Sequence, residues 1–219
     1  MLTDQQSHQF IMEKLGVYMI KIENIEVYNI VRAVYSARNA LNSWDKSDSD
    51  FEHDILGKND LNLAKKLYKA GTEHRKYLRQ IFVSMDITAP LYWWKEADQY
   101  RINVTTNSCS TMHKIAAKKF EFDDFSHEHL TVESEKSLLN TIDVLNRYRN
   151  DYISLNNDKE MWWQMIQLLP SSYNQKRTLT MNYENVVTII RQRTGHKLDE
   201  WNDLVSVLKD LPYVKEIMD

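Results

Sequence analysis

The sequence predicts an α+β fold, and three observations carry that prediction. Strand-like apolar runs such as Gln80–Ile87 (QIFVSMDI) stand among segments of helical periodicity. Glycine and proline are scarce, 4 and 3 in 219 residues, which disfavours an all-β chain built from many tight turns. The longest helical patterns fall in the second half, so mixed strands and a helix-rich C-terminal half define the class. We read 1–219 as one α+β domain with a helical segment at 130–169.

Taken in order, Leu15–Ile25 is rich in β-branched and aromatic residues and reads as a strand. Glu26–Asn39 carries Val27, Ile30, Val31, Val34 and Tyr35 at helical spacing, with Arg32 and Arg38 expected in solvent. Asn42–Asp50 is a polar loop anchored by Trp44, with a helix cap expected at Ser47 or Asp48. Asn59–Ala70 reads as a helix capped by Asn59 or Asp60 and stopped by Gly71. Gln80–Ile87 reads as a buried strand that Ala89-Pro90 breaks. Phe120–His129 is acidic and aromatic. Its His127 and His129 raise a metal site, but a solvated loop is the better reading without a strand to align both rings. Thr131–Leu155 is a long helix with Leu138, Ile142 and Leu145 on one stripe. Asp158 caps a second helix that ends before Pro170. A polar loop with Lys176 and Arg177 leads into a short strand at Thr178–Met181. Helices at Asn185–Arg193 and Leu198–Leu208 follow, then a short strand or turn.

Composition narrows the function. Hydrophobic residues make up 42% and charged residues 27%, which is globular rather than disordered. A formal charge of −3 supplies no general basic field, so bulk nucleic acid is not an expected partner, whereas a local pocket for a small anion is compatible. The lone Cys109 excludes an intrachain disulfide and a Cys-rich zinc site and fits a reducing cytoplasm. The N-terminal stretch lacks signal-peptide character, and no run approaches the ~18 apolar residues of a membrane span. A cytoplasmic protein with no membrane partner is the expectation.

The most informative stretch is Ala89–His113 (APLYWWKEADQYRINVTTNSCSTMH). Every side chain from Thr105 to Thr111 is small or polar, and such residues favour turns and caps over regular interiors. The predicted loop offers many donors at low steric cost, which suits a phosphate or a base edge. Ser108, Ser110 and Thr111 are candidate phosphate contacts. Arg177 and Arg193 are candidate charge-assisted partners that neutral hydroxyls cannot match.

The order of these motifs resembles that of the flavin-dependent thymidylate synthases. That family has a strand ending in Ala-Pro, a helix, an Arg-His-Arg signature and a Ser/Asn-rich loop ending in Arg-Tyr. Here Ala89-Pro90, Gln99-Tyr100-Arg101 and Asn107–His113 stand at matching places, with one extra spacer residue. Leu169-Pro170, Lys176 or Arg177, Thr180-Met181-Asn182, Arg193 and Glu200-Trp201 follow as the family's downstream motifs do. His74 falls near a family histidine, and the likeness covers roughly Ala33–Trp201. Two of the three Arg-His-Arg residues are replaced, and Met112-His113 stands for Arg-Tyr.

The resemblance implies an enzyme that transfers a one-carbon unit to C5 of a pyrimidine deoxynucleotide, dUMP first among them. The alternative is a nucleotide-binding protein on the same fold without redox catalysis. It implies FAD as cofactor, with reduced nicotinamide and methylene-tetrahydrofolate as co-substrates, and a homotetramer. Carried over residue by residue, it assigns FAD contacts to His74, Gln99, Tyr100, Arg101 and Asn107. It assigns nucleotide contacts to Ser108, Ser110, Thr111, Arg177 and Arg193. Catalytic roles fall to Arg193, Ser110 and His113.

Overall fold

A computed structural model describes residues 19–219. Strands β1 (Lys21–Tyr28), β2 (Phe82–Pro90), β3 (Val104–Ser108) and β4 (Asn174–Asn182) form one four-stranded sheet in the order β1-β2-β4-β3. Helices are α1 (Ile30–Ser36), α2 (Lys58–Lys69), α3 (Leu91–Ala97), α4 (Thr111–Lys114), α5 (Val132–Ser154), α6 (Lys159–Leu168), α7 (Tyr183–Arg193), α8 (Asp199–Lys209) and α9 (Val214–Met218). The α+β class is as expected. The chain forms two compact units. One gathers Thr88–Asp98 and Ser108–Arg177; the other gathers Ile22–Ile87, Gln99–Asn107 and Thr178–Asp219.

The first unit is organised by α5 and α6, which pack on each other. Leu138, Ile142 and Leu145 of α5 recur at helical spacing and bury with Met165 of α6 against Ile115, Phe120 and Phe125. Asp158 caps α6 as expected, accepting from Glu160 and Met161, and Thr131, read only as the start of the long helix, caps α5 by accepting from the Ser134 N–H. The segment Phe120–His129 is not the solvated loop expected. Phe125 and Ser126 are buried, and an isolated antiparallel bridge joins Phe125 to Tyr173. The His127 ring lies on Phe122 and its Nδ1 is 2.7 Å from the Phe125 carbonyl oxygen. No cluster of metal-ligating side chains occurs among the described residues.

In the second unit α7 packs on α8, and α9 packs on α2. Asn182 caps α7, and Tyr183 buries its ring while its hydroxyl donates to the Pro212 carbonyl. Several expectations are corrected here. The strand expected from Leu15 begins at Lys21, its residues 15–18 lying outside those described, and it runs past Glu26 to Tyr28. Exposed Glu26 and Tyr28 flank a less exposed Val27, a period of two, and left-handed Asn29 (φ 70°) separates strand from helix. Arg38 is not in solvent: with Asp60 it forms a buried pair at 2.6 Å. Asp60 therefore does not cap α2. Asp48 does so from the preceding loop, accepting the Asn59 and Asp60 N–H groups. Trp44 is exposed rather than an anchor, its Nε1 donating to Asn39. The C-terminus, expected as a short strand or turn, holds a helix with Val214 and Ile217 buried; five residues are too few to display its period.

Two further corrections position the site. Strand β2 continues through Ala89 to Pro90 instead of breaking before them, since a proline at the last position of a strand keeps extended geometry there. Strand β4 begins at Asn174, four residues earlier than expected, where a polar loop was read. Gln175, Arg177, Leu179 and Met181 follow one another at the strand's period of two, so polar Gln175 and Arg177 take positions in line with core residues.

Candidate phosphate-binding site

The site in the first unit is built from α3, β4 and the segment after β3. Trp93 and Trp94 are core residues, each about 1% exposed, rather than free platforms. Trp94 donates its indole N–H to the Gln175 carbonyl at 2.9 Å and presents its ring to Arg177, whose guanidinium carbon lies 4.3 Å from the centroid. Arg177 Nε donates to Gln175 Oε1 at 2.9 Å, and Nη1 donates to Asp98 Oδ1 at 2.8 Å. Gln175 is buried, and its Nε2 donates to the Cys109 carbonyl at 2.8 Å. The Cys109 N–H donates to the Lys176 carbonyl. One buried amide thus joins the Ser108–Thr111 segment to the Arg177 guanidinium. Asn174 Oδ1, on the same strand, is a buried acceptor without a hydrogen-bond partner among the described residues.

The polar stretch is not a loop throughout. Val104–Ser108 is an edge strand with four of its five residues exposed, and threonine suits extended backbone. Ser110 caps α4, its hydroxyl accepting the His113 N–H at 3.1 Å. That leaves the Ser110 O–H as a donor. Ser108, Cys109 and His113 are exposed, and Thr111 is half-buried. Ser108, Ser110, Thr111, His113 and Arg177 are therefore residues of one unit.

Arg193 belongs to the other unit, with its own aromatic setting. Its guanidinium lies 4.3 Å from the Trp201 ring centroid and 5.5 Å from that of Tyr100. Nε donates to Tyr100 Oη at 2.9 Å, and Nη1 is 3.1 Å from His196 Nε2. Tyr100 in turn donates to Gln192 Oε1 at 2.9 Å. Gln99, Arg101 and Asn107 are exposed in this unit, as is His74.

Sequence reasoning missed Trp94, Asp98 and Gln175 as partners of Arg177, and Gln192 and His196 around Arg193. Gln175 had a usable signal, since it precedes Arg177 by two residues and shares its strand face. The contact between Asp98 and Arg177, 79 residues apart, had none.

No family model matches the chain, and no curated protein matches it in sequence. Solved structures do match. The flavin-dependent thymidylate synthase ThyX from Helicobacter pylori, complexed with FAD and dUMP, superposes with a TM-score of 0.65 at 17% identity, covering 90% of this chain and 97% of that one. A second structure of Helicobacter pylori ThyX with FAD and dUMP gives 0.66 at 16%, covering 92% and 97%. The UMP/dUMP methylase PolB from Streptomyces cacaoi, bound with 5-Br UMP, gives 0.62 at 13%, covering 92% and 94%. This chain has the fold of the flavin-dependent thymidylate synthases.

Of the residues assigned to FAD, four present a suitable donor set. Arg101 and His74 bring donors for a pyrophosphate, and Gln99 and Asn107 bring amides for a ring edge, all on exposed side chains. The Tyr100 hydroxyl accepts from Arg193 and donates to Gln192.

Proposed function

We propose that this chain is a divergent FAD-dependent enzyme that transfers a one-carbon unit to C5 of a pyrimidine deoxynucleotide, with dUMP the first substrate to test. The observation that carries the reading is the Arg177 setting. A cation oriented by Trp94, Gln175 and Asp98 stands one amide away from the hydroxyl-bearing segment at Ser108–Thr111. The fold supports it, because solved relatives of that fold hold FAD with dUMP, or a bromo-UMP.

In this reading Arg177 and the donors of Ser108, Ser110 and Thr111 bind the 5′-phosphate. Arg193, its guanidinium over the Trp201 ring, is the second unit's own candidate nucleotide contact. His113 and the Ser110 hydroxyl hold or pass a proton at the base. His74, Gln99, Arg101 and Asn107 hold FAD, which supplies hydride when bound. Reduced nicotinamide and methylene-tetrahydrofolate complete the chemistry, and the functional form is a cytoplasmic homotetramer. No helix among the described residues is long and apolar enough to cross a membrane.

The test is anaerobic. Reduced FAD on the protein is expected to oxidise when dUMP and methylene-tetrahydrofolate are added together. Protein that neither binds FAD nor oxidises it would overturn the reading. One observation favours a second reading: with Tyr100 closed onto Arg193 and Gln192, the chain binds the nucleotide without flavin chemistry. That version predicts a melting shift with dUMP and none with FAD.

A further inference from the structure

We propose that Asp98 is a specificity-determining residue: an internal anion that occupies Arg177 until a nucleotide phosphate displaces it. The inference rests on the reading of Arg177 as the phosphate anchor. Three observations lead to it. First, the contacts of Arg177 differ in kind. Trp94 is buried and Gln175 is buried, so the stacking contact and the Nε hydrogen bond are fixed by the core. Asp98 is about half exposed (48%), whereas Arg177 is 14% exposed. The carboxylate is the solvent-facing member of the set.

Second, Asp98 stands at the C-terminal end of α3, where its N–H bonds to the Trp94 carbonyl. A helix C-terminus carries partial negative charge, so a carboxylate is disfavoured there and its pair with Arg177 offsets that cost. Third, Asp98 meets Arg177 through a single oxygen, Oδ1. A phosphate dianion carries twice the charge and three acceptor oxygens, so it outcompetes one monodentate carboxylate for the same guanidinium.

The consequence is selectivity by charge. A ligand without a phosphate leaves the Asp98–Arg177 pair intact and gains nothing from Arg177. A monoanion exchanges one carboxylate-strength contact for another. Only a phosphate monoester gains over the internal anion, so the site favours nucleotides over nucleosides by competition as well as by attraction. Gln175 keeps the guanidinium in place during the exchange, because its bond to Arg177 does not involve Asp98.

Calorimetric titration of dUMP and of deoxyuridine into the full chain and two sets of variants tests this. Asp98→Asn keeps the shape and removes the charge, and Asp98→Ser guards against a fault peculiar to the amide. Both are expected to tighten dUMP by about twofold to fivefold, the range of a partly exposed ion pair, with deoxyuridine unchanged. Arg177→Ala is expected to weaken dUMP. A merely structural Asp98 would give weaker binding of both ligands or none. If Arg177→Ala weakens dUMP while neither Asp98 variant tightens it, the Asp98 proposal is overturned and the phosphate anchor stands. If Arg177→Ala leaves dUMP affinity unchanged, the anchor itself is wrong and this inference falls with it.

Discussion

Arg38 and Asp60 show how a single pair escapes a sequence reading. Arg38 follows a helical stripe and reads as solvated, yet its Nε and Nη2 both reach Asp60 Oδ1, while Ser47 and Ser49 donate to Oδ2 at 2.5 Å. The carboxylate is fully enclosed and fully hydrogen-bonded, which is the condition under which a buried charge is tolerated. Removing one partner strands the other, so Asp60→Ala is expected to lower unfolding free energy by about 3–5 kcal/mol. Urea denaturation of the two proteins checks it; a loss under ~1 kcal/mol would contradict the role given to the pair. Arg177 was legible as a basic residue near a strand. Its orienting groups were not, because Asp98 and Trp94 are far from it in sequence and a pattern of types carries no tertiary contact.

At the scale of elements, caps and long helices were the legible part. Asp158 was placed as a cap and has the hydrogen bonds; Thr131, read only as the first residue of the long helix, proves to cap it. Asp158→Ala is expected to cost about 1 kcal/mol, measured by the same denaturation. Asp48 makes a different prediction. The Asn59 N–H bond, foremost among its interactions, holds its carboxyl below the ordinary range. A depressed folded pKa gives stability that is present above the unfolded value near 4 and lost as pH falls through the folded one. Asp48→Asn is therefore expected to flatten the acid limb of a stability–pH curve below about pH 4; an unchanged limb would contradict it. The illegible elements were short or at an edge. Val104–Ser108 is exposed at four of its five residues and so shows no alternation, and Val214–Met218 spans too little chain to reveal its stripe. The first four residues of β4 were mistaken for a loop because Asn174, Gln175, Lys176 and Arg177 are all polar.

For the whole molecule, the α+β class followed from scarce glycine and long helical patterns, and the fold itself from the order of several weak motifs. The division into two units was not legible, since each draws on separate stretches of the chain. It also splits the assigned residues, Arg177 and Ser108–His113 in one unit and Arg193 with Tyr100 in the other. The function proposed requires a phosphate anchor, and Arg177 is the residue on which that depends. The most direct measurement is the melting temperature of the full chain and of Arg177→Ala with dUMP at about 100 times its dissociation constant for the wild type. Ligand linkage at that excess is worth about 2.7 kcal/mol, or roughly 5–10 °C for a chain of this size. The account predicts that shift for the wild type and its loss, wholly or nearly so, in Arg177→Ala. An equal shift in both proteins would contradict it.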